Sequence, residues 1–181
     1  MTLASYITLT RIILIFPIIL LSYLQESIFN YLAFILFLIS GFTDYLDGYI
    51  ARKTDSVTDL GALLDLLADK LLVCLVLIWL IFLNLNLVFI CPVLIIIARE
   101  LVMSSARQFI VRQGIDNNLN VSYLGKSKTT MQFICISLFL ISPEFGDYFY
   151  FFCLSFLWLV SIITLYSMFD YARVWIRSSF D

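Results

Sequence analysis

Six long apolar segments, separated by short polar breaks, take up nearly all of the chain, at roughly residues 6–24, 29–52, 60–83, 85–111, 124–142 and 147–170. Each is long enough to cross about 30 Å of hydrocarbon as a helix rising about 1.5 Å per residue. Three of the breaks are Gln25-Glu26-Ser27, Asn84-Leu85-Asn86 and the run from Ser142 to Asp147. The stretch from Tyr148 to Phe169 has no charge. The other segments carry charges at one end only, so part of each helix leaves lipid for water or a protein-lined cavity. No internal repeat or low-complexity stretch interrupts the pattern. The expectation is a single domain over 1–181, all-α and integral to a membrane: a six-transmembrane-helix bundle with a polar cavity open to the cytoplasmic side.

Composition agrees with that pattern and removes several alternatives. The 181 residues are 62% hydrophobic and only 13% charged, about half the charged share of a soluble domain, and the mean hydropathy is +1.02. A soluble fold of this size could not hide so much apolar surface. The net charge of −2 says little, and nothing points to a nucleic-acid partner. The placement of charge says more. The connections after segments one, three and five hold no Lys or Arg, whereas the turns after segments two and four, with the C-terminus, hold Arg52, Lys53, Arg112, Lys126, Lys128, Arg173 and Arg177. The positive-inside rule puts that side in the cytoplasm, together with both termini, as in a bacterial-type inner (plasma) membrane. The N-terminal segment lacks a basic leader and a small-residue cleavage site, so it is expected to be a retained helix. Cys74, Cys91, Cys135 and Cys153 all sit in apolar runs without a C-x-x-C pair, and are expected to be buried small hydrophobes rather than disulfides or metal ligands. There is no histidine, so acid–base or metal chemistry must rest on carboxylates.

The carboxylates are concentrated between Thr43 and Lys70. Asp44, Asp47, Gly48 and Ala51 fall at i, i+3, i+4 and i+7, one face of a helix; Gly61, Asp65 and Asp69 fall at i, i+4 and i+8, again one face. A short loop near Lys53–Asp59 would join two antiparallel helices whose acidic faces meet near their cytoplasmic ends. Four carboxylates gathered beside a membrane must protonate or bind cations. Oxygen-only ligands favour hard ions, Mg²⁺ or Mn²⁺ with Ca²⁺ as a third choice, and four aspartates on two rigid helices suffice for a two-ion site that clamps phosphate oxygens. Gly48, Ala51 and Gly61 alone would be ordinary small contacts between membrane helices. Interleaved with the aspartates they point to a ligand approaching the backbone, with Arg52 able to fork onto a phosphate.

These eight positions, Asp44-x-x-Asp47-Gly48-x-x-Ala51-Arg52, eight residues, then Gly61-x-x-x-Asp65-x-x-x-Asp69, resemble the signature of the CDP-alcohol phosphatidyltransferase family. The resemblance implies that Asp44, Asp47 and Asp65 ligate metal. It implies that Asp69 lies at the same metal site and acts as the catalytic base. It also implies that Gly48, Ala51, Arg52 and Gly61, with Thr8 from the first segment, line a CDP pocket. It further implies six membrane helices and a homodimer.

The remainder of the chain bears on the acceptor alcohol. Ile7 to Ile12, Leu67-Ala68-Asp69-Lys70, Ile97 to Leu101, Ser104 to Arg107 and Gly125 to Thr130 resemble the branch of the family that transfers onto glycerol 3-phosphate. The resemblance spans about residues 5–170, with Ser5 standing where many members have Asn and Leu66 where many have Pro. The residues themselves favour an anionic acceptor. Arg99 and Arg107 share a face of segment four and Lys126 opens segment five, a set suited to the acceptor phosphate. Lys128, Arg112, Arg173 and Arg177 read better as markers of the interface, and Glu100 as a partner for a neighbouring cation. The expected substrates are CDP-diacylglycerol and glycerol 3-phosphate, with membrane lipid around the chain. Two alternatives stand beside this: a sister enzyme using serine, inositol phosphate or phosphatidylglycerol, and a divalent-cation transporter that conducts through the aspartates.

Overall fold

The computed structural model describes the backbone over residues 3–54, 59–112 and 123–180, and side chains over 9–43, 67–106, 108 and 129–169. It is all-helical: α1 (Leu3–Leu24), α2 (Ser27–Thr54), α3 (Asp59–Leu83), α4 (Leu87–Arg112), α5 (Tyr123–Ile141), a 3-10 turn (Ser142–Glu144) and α6 (Gly146–Phe180). The six expected segments are thus six helices. The largest difference is α6, which runs ten residues past the apolar limit at 170 because Asp170 to Phe180 holds no Gly or Pro to stop it. By length and hydropathy, Leu87–Ala106 and Gly146–Phe169 qualify as membrane spans among the described residues, while Leu9–Leu24, Ser27–Thr43 and Thr129–Glu144 are shorter apolar helices.

Local chemistry sets the connections. Gln25 turns the chain after α1 in the left-handed region, at φ 51°. Asn84 continues the last turn of α3 onto the Leu80 and Ile81 carbonyls, and the Asn86 side chain accepts from Val88 N–H at 3.0 Å, capping the start of α4. Gly146 takes φ 74°, a conformation that favours glycine, to launch α6. We call the end carrying these three tight connections the loop end, and the opposite end the aspartate end.

The helices pack as a closed ring in the order α1, α2, α5, α6, α4, α3, with α3 also touching α5 across the interior. α2 and α3 are antiparallel through residues 55–58, which lie outside the described residues. α1 packs against both of them. The core fills the loop-end half of the ring. It joins Ile15 and Ile18 of α1, Ala33 and Phe37 of α2, Leu72, Val76 and Leu80 of α3, Phe89, Val93 and Ile96 of α4, Ile136 and Phe139 of α5, and Leu157 and Val160 of α6. Phe37 stacks on Phe133 at 4.3 Å between centroids, and Phe139 meets Phe89 and Tyr150 edge-on. Trp158 Nε1 donates to the Val88 carbonyl at 3.1 Å, tying α6 to α4. Large apolar side chains such as Phe16, Leu20, Phe82, Phe151 and Ile162 point outwards, as a lipid-facing belt requires. All four cysteines are free. Cys135 and Cys153 are buried as expected, but Cys74 is half-buried and Cys91 is exposed, because Cys91 falls on the outward side of α4, opposite the buried Phe89–Val93–Ile96 stripe.

Candidate active site

The buried stripes of α2 and α3 lead directly to the acidic positions. On α2, Ala33, Phe37 and Ser40 are buried, and positions 44, 47 and 51 continue that same helical face. On α3, Leu80, Val76 and Leu72 are buried, and positions 69, 65 and 61 continue that face. Asp69 is the one signature aspartate whose side chain is described, and it is exposed although it lies on the core stripe. Burial on α3 itself continues to Ala68, which is fully buried, while Asp69 beside it is exposed. The side chains of Thr8, Asp44, Asp47, Gly48, Ala51, Arg52, Gly61, Asp65, Arg107 and Lys126 lie outside the described ones. Their backbones place them on α1, α2, α3, α4 and α5 at the aspartate end. Among the described residues no three His, Cys, Asp or Glu side chains form a cluster able to hold a metal.

Arg99 is the best-defined cation of the site. It is only 2% exposed, on the buried stripe of α4. Its Nη1 is ion-paired with Glu100 Oε1, which settles the partner of Glu100. Among the described residues its Nε and Nη2 are buried with no hydrogen-bond partner. These two nitrogens form one edge of the guanidinium, the edge that grips a phosphate or carboxylate with two parallel bonds. Leaving such donors buried and unused is costly, so the edge suits an incoming anion. Glu100, Asp69 and Lys70 all lie within electrostatic reach of Cys74 on α3. The Arg99–Glu100 pair and the exposed aspartate thus share one neighbourhood.

One buried cation was passed over in the sequence. Arg11 on α1 is 1% exposed. It lies 13 residues before the end of α1, and Asp69 lies 14 before the end of α3. α1 and α3 are ring neighbours running the same way, so the two sit at one depth. The available signal was a charge inside an otherwise apolar run, which is expensive in a membrane helix and is a mark of function there.

A cavity of about 350 Å³ opens at the loop end between Ser22, Asn30, Leu80, Asn84, Ser142 and Asp147. Above it Glu144 accepts hydrogen bonds from Ser27 Oγ and from Asn30 Nδ2, the latter at 2.7 Å. No Lys or Arg stands at this end, so it offers nothing to bind a diphosphate.

Comparison with known sequences decides the family. The profile described as CDP-alcohol phosphatidyltransferase matches residues 1–171. The chain belongs to the CDP-alcohol phosphatidyltransferase family. Among its relatives, a protein of Rickettsia typhi is 36% identical over 173 residues, covering 94% of this chain and 95% of its own length. One of Haemophilus influenzae is 32% identical over 169 residues, covering 93% and 90%. One of Wigglesworthia glossinidia brevipalpis is 37% identical over 130 residues, covering 72% and 71%. All three are named CDP-diacylglycerol–glycerol-3-phosphate 3-phosphatidyltransferase.

Proposed function

We propose that this chain transfers the phosphatidyl group of CDP-diacylglycerol to glycerol 3-phosphate, giving phosphatidylglycerophosphate and CMP. The carrying observation is the pairing, at one depth of the ring, of an exposed aspartate on the α3 core stripe with a buried arginine whose phosphate-gripping edge has no partner. The names of the relatives point to the same donor and acceptor. As an enzyme of this type the chain crosses the membrane six times. Its aspartate end faces the cytoplasm of a bacterial-type inner membrane, and it works as a homodimer. The distribution of Lys and Arg supports that orientation.

Asp44, Asp47, Asp65 and Asp69 are an all-oxygen donor set without histidine or thiolate, which fits Mg²⁺ or Mn²⁺. Two such ions would neutralise the charge of the donor diphosphate and of the departing CMP. Gly48, Ala51 and Gly61 leave space beside the helix backbones for the cytidine diphosphate, with Arg52 and Thr8 at its rim. The lipid chains of the donor stay in the bilayer. Arg99, Arg107 and Lys126 hold the acceptor phosphate, Arg99 through Nε and Nη2. Asp69 accepts the proton of the primary hydroxyl. The freed oxygen bonds to the lipid-linked phosphorus as the bond from that phosphorus to the CMP oxygen breaks. Positioning and preorganised charge supply most of the acceleration in such phosphoryl chemistry.

The decisive experiment gives the purified protein CDP-diacylglycerol with glycerol 3-phosphate, serine, inositol phosphate or phosphatidylglycerol separately, and measures CMP release. Rapid release with glycerol 3-phosphate alone is expected. Rapid release only with serine would reject the assignment, and divalent-cation flux through sealed vesicles without lipid synthesis would reject the reaction class.

A further inference from the structure

We infer that Gln132 is a specificity residue that reads the secondary hydroxyl of the acceptor, next to the phosphate held by Arg99; this rests on the acceptor reading above. Gln132 lies on α5 and is 3% exposed. Among the described residues its amide makes no hydrogen bond to protein, and its nitrogen and oxygen are not among the side-chain atoms sealed from solvent without a partner, so the amide keeps an accessible edge that a ligand can reach. Its location follows from two facing stripes. Positions 132, 136 and 139 share one face of α5, and 89, 93, 96 and 99 share the buried face of α4. α4 and α5 are not neighbours in the ring; α6 packs against both. The two helices confront each other across the interior, where the Phe89 and Phe139 rings meet at 5.0 Å between centroids. From that contact towards the aspartate end, Gln132 lies seven residues along α5 and Arg99 ten along α4, depths of about 10 and 15 Å at the helical rise. A neutral amide and a half-used guanidinium thus sit on opposing walls, about one helical turn apart in depth.

The chemistry of the two groups divides the acceptor between them. Arg99 offers positive charge and two parallel donors, which suit a phosphate. Gln132 offers one donor and one acceptor without charge, which suit a hydroxyl that also donates and accepts. In glycerol 3-phosphate the group adjoining the phosphate-bearing carbon is the C2 hydroxyl. Holding it fixes the carbon chain, and so aims the C1 hydroxyl.

The test compares glycerol 3-phosphate with 3-hydroxypropyl phosphate, which keeps the phosphate and the reacting hydroxyl but lacks the C2 hydroxyl. The wild type should prefer glycerol 3-phosphate by about 10- to 100-fold in kcat/KM, the discrimination of one buried hydrogen-bonding group. In Gln132→Met, close to Gln in volume, the preference should fall to near unity, with the KM for CDP-diacylglycerol unchanged. A wild type without preference, or a methionine variant that keeps it, overturns the inference. Should that variant not fold, Gln132→Asn, which withdraws the amide by one methylene, should lose most of the preference, and full retention again overturns it. Arg99→Met serves as the separate control. It should raise the KM for both phosphates alike. If it does not, the acceptor site itself is wrongly placed; if it does while Gln132 variants leave the ratio intact, only the role of Gln132 fails.

Discussion

In the proposed site, single residues near the aspartate end divide into those that hold charge for the donor and those that hold it for the acceptor. Asp44→Asn removes one carboxylate from a set whose value lies in its total negative charge. We expect CMP release to fall by at least about 100-fold, with chelator abolishing the wild-type rate and added Mg²⁺ or Mn²⁺ restoring it. Full activity of Asp44→Asn at low Mg²⁺ would contradict the proposed ligand set. Arg107 stands two turns beyond Arg99 on α4. Arg107→Ala should raise the KM for glycerol 3-phosphate several-fold and leave that for CDP-diacylglycerol unchanged; equal changes in both would make it an interface residue. The acidic positions were legible in the sequence because their spacing is helical and their residue type is improbable in lipid. Arg11 and Gln132 were not, since burial is set by neighbouring helices and a lone polar residue in an apolar run does not announce which side it faces. The expectation that all the cysteines are buried failed at Cys91 for the same reason: an apolar context does not distinguish lipid from core.

At the level of helices, two contacts hold the frame on which the site is mounted. Phe133 of α5 lies over Gly41 of α2, one turn before position 44, so that a Cβ at 41 would enter the ring. Gly41→Ala must displace Phe133 from its stack on Phe37, at an expected cost of about 1–3 kcal/mol. Its melting temperature in detergent should drop, and Phe133→Leu in the same background should recover part of the loss. The second contact is at the loop end, where hydrogen bonds from Ser27 and then Asn30 hold the Glu144 carboxyl below its ordinary value of 4.5. Because the folded value is the lower one, the stabilisation is complete above the ordinary value. It is lost as pH falls through the folded value. The gap in melting temperature between wild type and Glu144→Gln should therefore be present at neutral pH and close in the acid range below 4.5; a gap unchanged down to pH 3 would show that the charge of Glu144 plays no part. Helix number and order were readable from apolar length, and the two hinge points at Asn84–Asn86 and Ser142–Gly146 from their turn residues. The ring order was not, since six apolar helices of similar length carry no label for their neighbours.

For the molecule as a whole, the packed half between the loop-end cavity and Asp69 has an electrical consequence. Along α3 it runs from Leu80 to Leu72 before Asp69 is reached, and Leu80 to Asp69 is about 16 Å of helix. In a membrane of the proposed orientation, most of the transmembrane voltage drops across that packed apolar layer. With the aspartate end open to the cytoplasm as proposed, that end stays close to the cytoplasmic potential. Moving one charge through the whole field involves about 2.3 kcal/mol per 100 mV. Anionic substrates that stop short of that layer traverse little of the field. Turnover reconstituted in oriented vesicles should accordingly be nearly indifferent to an imposed membrane potential, so the cell can make this lipid whether its membrane is energised or not.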